Sequence, residues 1–377
     1  MPIEGRSETV KQFNEIKYPI VKPYLPDLSR YQSSVADIFS RNYLTNNGPL
    51  VQRLEQRLCK HFGVEHLLLV ANGTLALQIA YAALNIEGKV LTTAFSFAAT
   101  ASSLCWQNIT PEFVDIDEKT FNLNVDNISL EQAQTASAIL PVHVFGNPCE
   151  VLKIADFAKK HQLKVVYDAA HAFATKRSGQ SVLHHGDAST LSLHATKMFH
   201  CVEGGAIIFK DKVAYSKAKQ LINFGFDGDN NPEYVGINAK MSEFHAAMGL
   251  SVLDDIDMVM AQRKSLVSQY TKNLSSVAQV SFQQWHDQSE CVGAYMPILL
   301  ENEQQVLTMI QRLHSHGIQT RRYFYPSLSQ IEIYGKNGVT PISDNIAKKI
   351  LCLPLYTNIA ICDVDVICDH VKAVLTL

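Results

Sequence analysis

Short apolar runs alternate with helix-like stretches through the first half of this chain, and that alternation restricts the fold more than any other feature. Residues 67–71, LLLVA, are apolar without interruption, the pattern of a strand covered on both faces. Asn72-Gly73 then turns the chain into a helix beginning near Thr74, with Leu77, Ala80, Tyr81 and Leu84 on one face. The pattern returns in VLTTA followed by a helix after Phe97, in PEFVDID, in SAILPVHVFG followed by the helix EVLKIADFAKKHQ, and in KVVYDAAH. This order predicts an α/β fold, a doubly wound, mostly parallel sheet with helices on both faces. Ligands of such sheets sit at the carboxyl ends of the strands. The residues to inspect are therefore Gly73, Thr74, Phe97, His143, Gly146, Asp168 and His171.

With 377 residues the chain is long enough for a large domain and a smaller one. An N-terminal arm is expected over 1–25, ending in KPYLPDL, where two prolines forbid a regular helix. The large domain is placed at 26–260 and a small α+β domain at 261–377. Helices are expected over 33–40 and 51–62, the second closed by Gly63, and one long helical stretch over 242–274 leads into the second domain. There, YMPILL and IQTRRYFYP read as strands, EQQVLTMIQRLHSHG as a helix ending at Gly317, and a terminal helix starts at Asp363.

A net charge of -3 gives no electrostatic footprint for nucleic acid. No run of about 18 uncharged apolar residues is present, so a soluble, cytoplasmic protein without membrane contact is expected. The eight cysteines form no CxxC pair and read as reduced thiols, and without HExxH or a Cys/His framework no metal is expected.

The reactive candidate is Lys197, behind a short β-type run in SLHATKMFHCVEGG, residues 192–205. A desolvated lysine loses its proton below the ordinary value of ~10.4 and becomes an amine nucleophile. Asp168 ends the apolar run Val165-Val166-Tyr167, and a carboxylate there must be paired or hydrogen-bonded: it either caps the next helix or faces a cation. Gly73-Thr74 at a helix start either cradles a phosphate or supplies a simple cap. Taken together, a phosphate cradle, an aromatic at Phe97, an acid at Asp168 and an amine at Lys197 match the needs of pyridoxal phosphate: imine formation, a protonated ring nitrogen and phosphate donors.

The motifs NGTLAL at 72–77, VVYDAAHAF at 165–173, SLHATK at 192–197 with EGG at 203–205, and GINAKMSEFHAAMG at 236–249 resemble the DegT/DnrJ/EryC1/StrS aminotransferases. The resemblance runs from KPYLP almost to the end of the chain. It implies the aspartate aminotransferase-like fold type I, with Lys197 carrying pyridoxal 5'-phosphate and Asp168 on its ring nitrogen. It also implies His171 beside the phenolic oxygen, Phe97 stacked on the ring, and Gly73, Thr74 and Ser192 on the phosphate. Asn238 matches a residue that reaches the phosphate across a homodimer interface; it lies at the end of NFGFDGDNNPEYVGINAKMS, a long loop of the kind that is either functional or packed on a partner subunit. The implied substrates are L-glutamate and a nucleotide-linked ketosugar. LTNNGP, PVHVFGNPC and RRYFYPSL are most similar to enzymes making dTDP-4-amino-4,6-dideoxyglucose from the 4-keto-6-deoxy sugar for surface polysaccharides such as O-antigen. A 3-aminotransferase would share every cofactor residue. A non-catalytic cofactor-binding regulator is disfavoured by the intact set. Tyr325 falls where relatives place a residue near the sugar, with Arg321 and Arg322 next to it.

Overall fold

A computed structural model describes residues 16–335 and 337–376. Seven strands form the central sheet: β1 (Leu67–Val70), β2 (Lys89–Thr93), β3 (Thr110–Val114), β4 (Ala136–Leu140), β5 (Lys164–Asp168) and, after a small hairpin of β6 (Lys176–Arg177) and β7 (Gln180–Ser181), β8 (Ala188–Ser192) and β9 (Gly205–Phe209). Their order is β1-β9-β8-β5-β4-β2-β3, with every neighbouring pair parallel except those that β9 makes with β1 and β8.

The uninterrupted apolar runs are explained by what covers each face. In β1, Leu67 and Leu69 join the core formed with the helices Pro49–Phe62 and Glu243–Leu253, whereas Leu68 and Val70 join the core under the helices Gly73–Ala83 and Lys212–Leu221. β9 divides in the same way, Ala206 and Ile208 to one side, Ile207 and Phe209 to the other. Alternate residues on both faces therefore lose water contact, and polar groups gather at strand ends.

One close approach fixes the turn after β1. Gly205 pairs with Val70, and a Cβ on Gly205 would lie 2.4 Å from the Asn72 carbonyl oxygen and 2.9 Å from the Gly73 nitrogen. Both are backbone atoms, so neither can swing aside.

The small domain holds the antiparallel pair β10 (Pro297–Leu299) and β11 (Ile350–Cys352) under the helices Glu303–Ser315 and Ile361–Leu375. Four details differ from the sequence expectation. The stretch 242–274 is two helices, Glu243–Leu253 and Ile256–Leu274, separated at Asp254 and Asp255, whose carboxylates are held by Arg57 and by Arg30 and Tyr24. The second of these links the domains: Ile256 and Val259 pack in the large core, Leu266, Tyr270 and Leu274 in the small one. The first helix begins at Leu28, not 33, because Asp27 caps it by accepting from Ser29 N at 2.8 Å.

The segment expected as the strand IQTRRYFYP is mostly irregular, bridging only at Ile318 to Tyr18 and at Arg321 to Cys352. Its side chains, Phe324 among them, go to the aromatic cluster between the domains. Finally, part of the expected arm is structural. Tyr18 is buried in the small-domain core, its hydroxyl donates to Asp363 Oδ1 at 2.8 Å, and its backbone N–H donates to Gly317 O. Residues 1–15 of that arm lie outside the described residues.

Gly205→Ala should lower stability by about 1–3 kcal/mol through overpacking against fixed backbone. Gly228→Ala, where a Cβ meets nothing within 4 Å, should stay within about 0.5 kcal/mol of wild type. Denaturant midpoints of the two variants check this contrast.

Candidate active site

At the carboxyl ends of β1, β5 and β8 a cavity of about 340 Å³ opens toward the small domain. Gly73, Thr74, Phe97, Asp168, His171, Ser192 and Lys197, called from sequence, all line it.

The turn after β1 supplies its first wall. Asn72, not Thr74, caps the helix, its side chain accepting from Leu75 N at 2.9 Å. The first intrahelical bond runs from Ala76 N to Asn72 O, so the Gly73 and Thr74 N–H groups precede the helical ladder at the positive end of its dipole. Freed from capping, the Thr74 hydroxyl is exposed at the cavity. A Cβ on Gly73 would stand 3.1 Å from Ser192 Cβ, so glycine keeps the space between the helix start and the end of β8 open.

Asp168 ends β5 as a buried carboxylate. Its Oδ2 accepts from the Thr100 hydroxyl at 2.8 Å and its Oδ1 from Ala170 N at 3.1 Å. Because the single Thr100 proton goes to Asp168, the 2.7 Å contact between Ser96 and Thr100 is a donation from Ser96. Burial raises the Asp168 pKa; Thr100, Ala170 N–H and the Lys197 charge pull it back. Its hydrogen-bond donors are thus neutral, and a cation is what the carboxylate lacks.

Lys197 stands on the loop between β8 and β9, pinned by Leu193 N to Gly204 O, Ala195 N to Val202 O and Cys201 N to Leu193 O. Its Nζ donates to the Tyr295 hydroxyl at 3.1 Å. Desolvation lowers its pKa to about 8, against the raising influence of Asp168 and Tyr323. His171 lies on the same floor, accepting at Nδ1 from Phe145 N at 3.3 Å. Burial, then the Lys197 charge, holds its pKa well below the usual histidine value, so the ring is neutral and carries its proton on Nε2. Phe97, just before the helix Ala98–Trp106, is 53% exposed at the cavity.

Two expected residues stand elsewhere. Asn238 is exposed and bridged to Asn223, outside this cavity, on a loop where Val235 is 99% exposed. Tyr325 is also outside: its ring lies 3.3 Å below the guanidinium of Arg322, which itself donates to Glu303 at 2.9 Å and to the Ala347 carbonyl at 3.1 Å. Irregular backbone over 318–326 turns Arg321, Tyr323 and Phe324 to the cavity instead. Sequence reading also missed Ser96, Thr100 and Tyr295. Thr100 was recoverable, since it falls three residues after Phe97 on the first turn of the expected helix. Tyr295 lies in a different domain from Lys197, and no local pattern joins them.

The sequence model of the DegT/DnrJ/EryC1/StrS aminotransferase family matches residues 28–372. A dTDP-4-amino-4,6-dideoxy-D-glucose transaminase of Shigella dysenteriae is 40% identical over 346 residues, 90% of this chain and 94% of that protein. One of the same description from Escherichia coli is 36% identical over 92% of this chain and 95% of its own. The solved structure of DesI with its TDP-sugar product superposes with a TM-score of 0.91 at 30% identity, covering 96% of this chain and 93% of that one.

In cofactor-free protein, acylation of Lys197 followed by peptide mass should show a midpoint near pH 8, not ~10.4. Asp168→Asn removes a negative charge that favours the ammonium, so its midpoint should fall further.

Proposed function

The chain belongs to the DegT/DnrJ/EryC1/StrS aminotransferase family, and from that premise we propose that it moves the amino group of L-glutamate to C4 of dTDP-4-dehydro-6-deoxy-D-glucose, giving dTDP-4-amino-4,6-dideoxy-D-glucose. Pyridoxal 5'-phosphate is the carrier in this reading. The observation that carries it is the buried Asp168 carboxylate, bonded only to neutral donors, in one cavity with the deprotonation-prone amine of Lys197. For the sugar, support comes from the two relatives whose names specify 4-amination.

The cavity's chemistry fits this cofactor. Asp168 would receive the protonated ring nitrogen, a charge-assisted bond worth roughly 1.5–3 kcal/mol. Gly73 and Thr74 N–H groups, the Thr74 hydroxyl and Ser192 would hold the phosphate, in space a Cβ on Gly73 would fill. Phe97 would cover a ring face, and the Nε2 proton of His171 would meet the phenolic oxygen. When bound, pyridoxal phosphate supplies the carbonyl that accepts nitrogen and the electron sink that stabilises charge on the adjacent carbon.

The chain's own residues do the rest. Lys197 would hold the cofactor through its amine and, when that amine is free, would serve as the base that holds the donor's Cα proton and delivers it to the carbon on the far side of the nitrogen. About a quarter of this amine is neutral at pH 7.5, against about 0.1% for an ordinary lysine. Asp168, ionised, would hold a proton on the ring nitrogen. Asn238, on its exposed loop with Phe224 and Ile237, is assigned to a second copy's phosphate site in a homodimer.

Purified protein given pyridoxal phosphate, glutamate and the 4-keto sugar should yield nitrogen at C4, read by mass and NMR. Nitrogen at C3 would make it a 3-aminotransferase, and no reaction with glutamate would overturn the reading. Lys197→Ala should lose turnover and the visible absorbance of bound cofactor while keeping its circular dichroism. Asp168→Asn should lose at least about a hundredfold in kcat.

A further inference from the structure

Tyr295 has no part in the chemistry above, yet its hydroxyl is the hydrogen-bond partner of Lys197 Nζ, at 3.1 Å. The lysine belongs to the large domain and the tyrosine to the small one, two residues before β10. Three rings clamp that tyrosine: His171 at 4.6 Å, Phe145 at 5.4 Å and Tyr323 at 5.5 Å between centroids. Behind it, Arg263 donates Nε to Gly293 O at 2.7 Å and Nη2 to Ala294 O at 2.9 Å.

Arg263 is 4% exposed, and among the described residues no carboxylate pairs with it. Burying a guanidinium on carbonyls alone is costly. What it secures is the backbone just before Tyr295. Gly293 takes φ +72°, and a Cβ there would lie 2.9 Å from the Arg263 backbone, so this approach is tight.

We propose that Tyr295 is a positioning residue for the proton-carrying amine of Lys197, its oxygen holding one N–H so that the lone pair faces the substrate carbon. This rests on the aminotransferase reading. A neutral primary amine has two N–H bonds and one lone pair on a freely turning C–N bond. Fixing one N–H on a rigid acceptor removes most of that rotation, which is the entropic part of the barrier to proton transfer. Tyr295 keeps its own proton throughout, since burial holds its pKa above the usual tyrosine range. Tyr295 therefore neither supplies nor takes the migrating proton, and Lys197 alone carries it.

Tyr295→Phe removes one oxygen and leaves the ring in its clamp. Besides Tyr295, the titratable groups that line the cavity with Lys197 are Asp168 from β5, His171 after it, Arg321 and Tyr323 from the small domain, and His194 and Glu203 from its own loop. All are unchanged in the variant. Two measurements test the assignment. In cofactor-free protein the acylation midpoint of Lys197 should move below the wild-type value, because the lost oxygen accepts from, and so favours, the ammonium. In holoenzyme the glutamate half-reaction should lose about tenfold or more in kcat, with KM within about twofold.

A midpoint that rises toward ~10.4 would assign Tyr295 to packing that excludes water, and would overturn the proposal. An unchanged midpoint, or a lowered midpoint with unchanged kcat, would overturn it as well. Wild-type protein inert toward glutamate would instead sink the aminotransferase reading, and the cofactor-free titration would still judge the contact.

Discussion

The whole molecule depends on burying both faces of one sheet. Leu67 and Leu69 face one helical layer and Leu68 and Val70 the other, so along β1 no residue can be polar without a partner. The same constraint acts on β5, where Val165 and Val166 belong to different cores. The charged and exposed polar groups of the site are thereby set at strand ends, and Asp168, Ser192 and Gly73-Thr74 are brought to one edge. Gly205 sharpens the placement, because only a residue without Cβ lets β9 run against the Asn72-Gly73 turn.

A second layer of organisation comes from the join between the domains. Phe95 and Phe145 of the large domain meet Phe324 of the small one at 5.5 and 5.8 Å, and His171 stacks on Phe324 at 5.8 Å. Phe95, Phe145 and Phe324 form the interdomain core, and Phe324 and His171 are cavity wall as well. The same packing that attaches the small domain thus removes water from Lys197 and His171, and desolvation is the first cause of the lowered pKa at each. Anchoring and activation have a common physical origin here.

Much of this was legible in the residues. The apolar runs and their small-residue turns marked β1, β5 and the helices after them, because double burial leaves a one-dimensional trace. The chain order of Gly73, Asp168 and Lys197 is likewise local information, each residue following a recognisable strand. Where reading failed, the cause was tertiary. IQTRRYFYP has strand-like composition, yet its aromatic side chains are recruited to the interdomain cluster, so its backbone pairs at isolated points. Tyr325, which the resemblance puts near the sugar, is a separate matter: in this chain its ring lies under the Arg322 guanidinium, outside the cavity that Lys197 lines.

By itself, then, the sequence determined the sheet, its flanking helices and the residue types at the strand ends, since burial on two faces and helix capping are written in short windows. Contacts between distant elements bond Asp168 to Thr100 and not to a cation of the protein, leave the capping to Asn72 and so free Thr74, and bring a tyrosine 98 residues away against Lys197. Those outcomes depend on distances between elements remote in the chain, and no periodicity in the sequence encodes them.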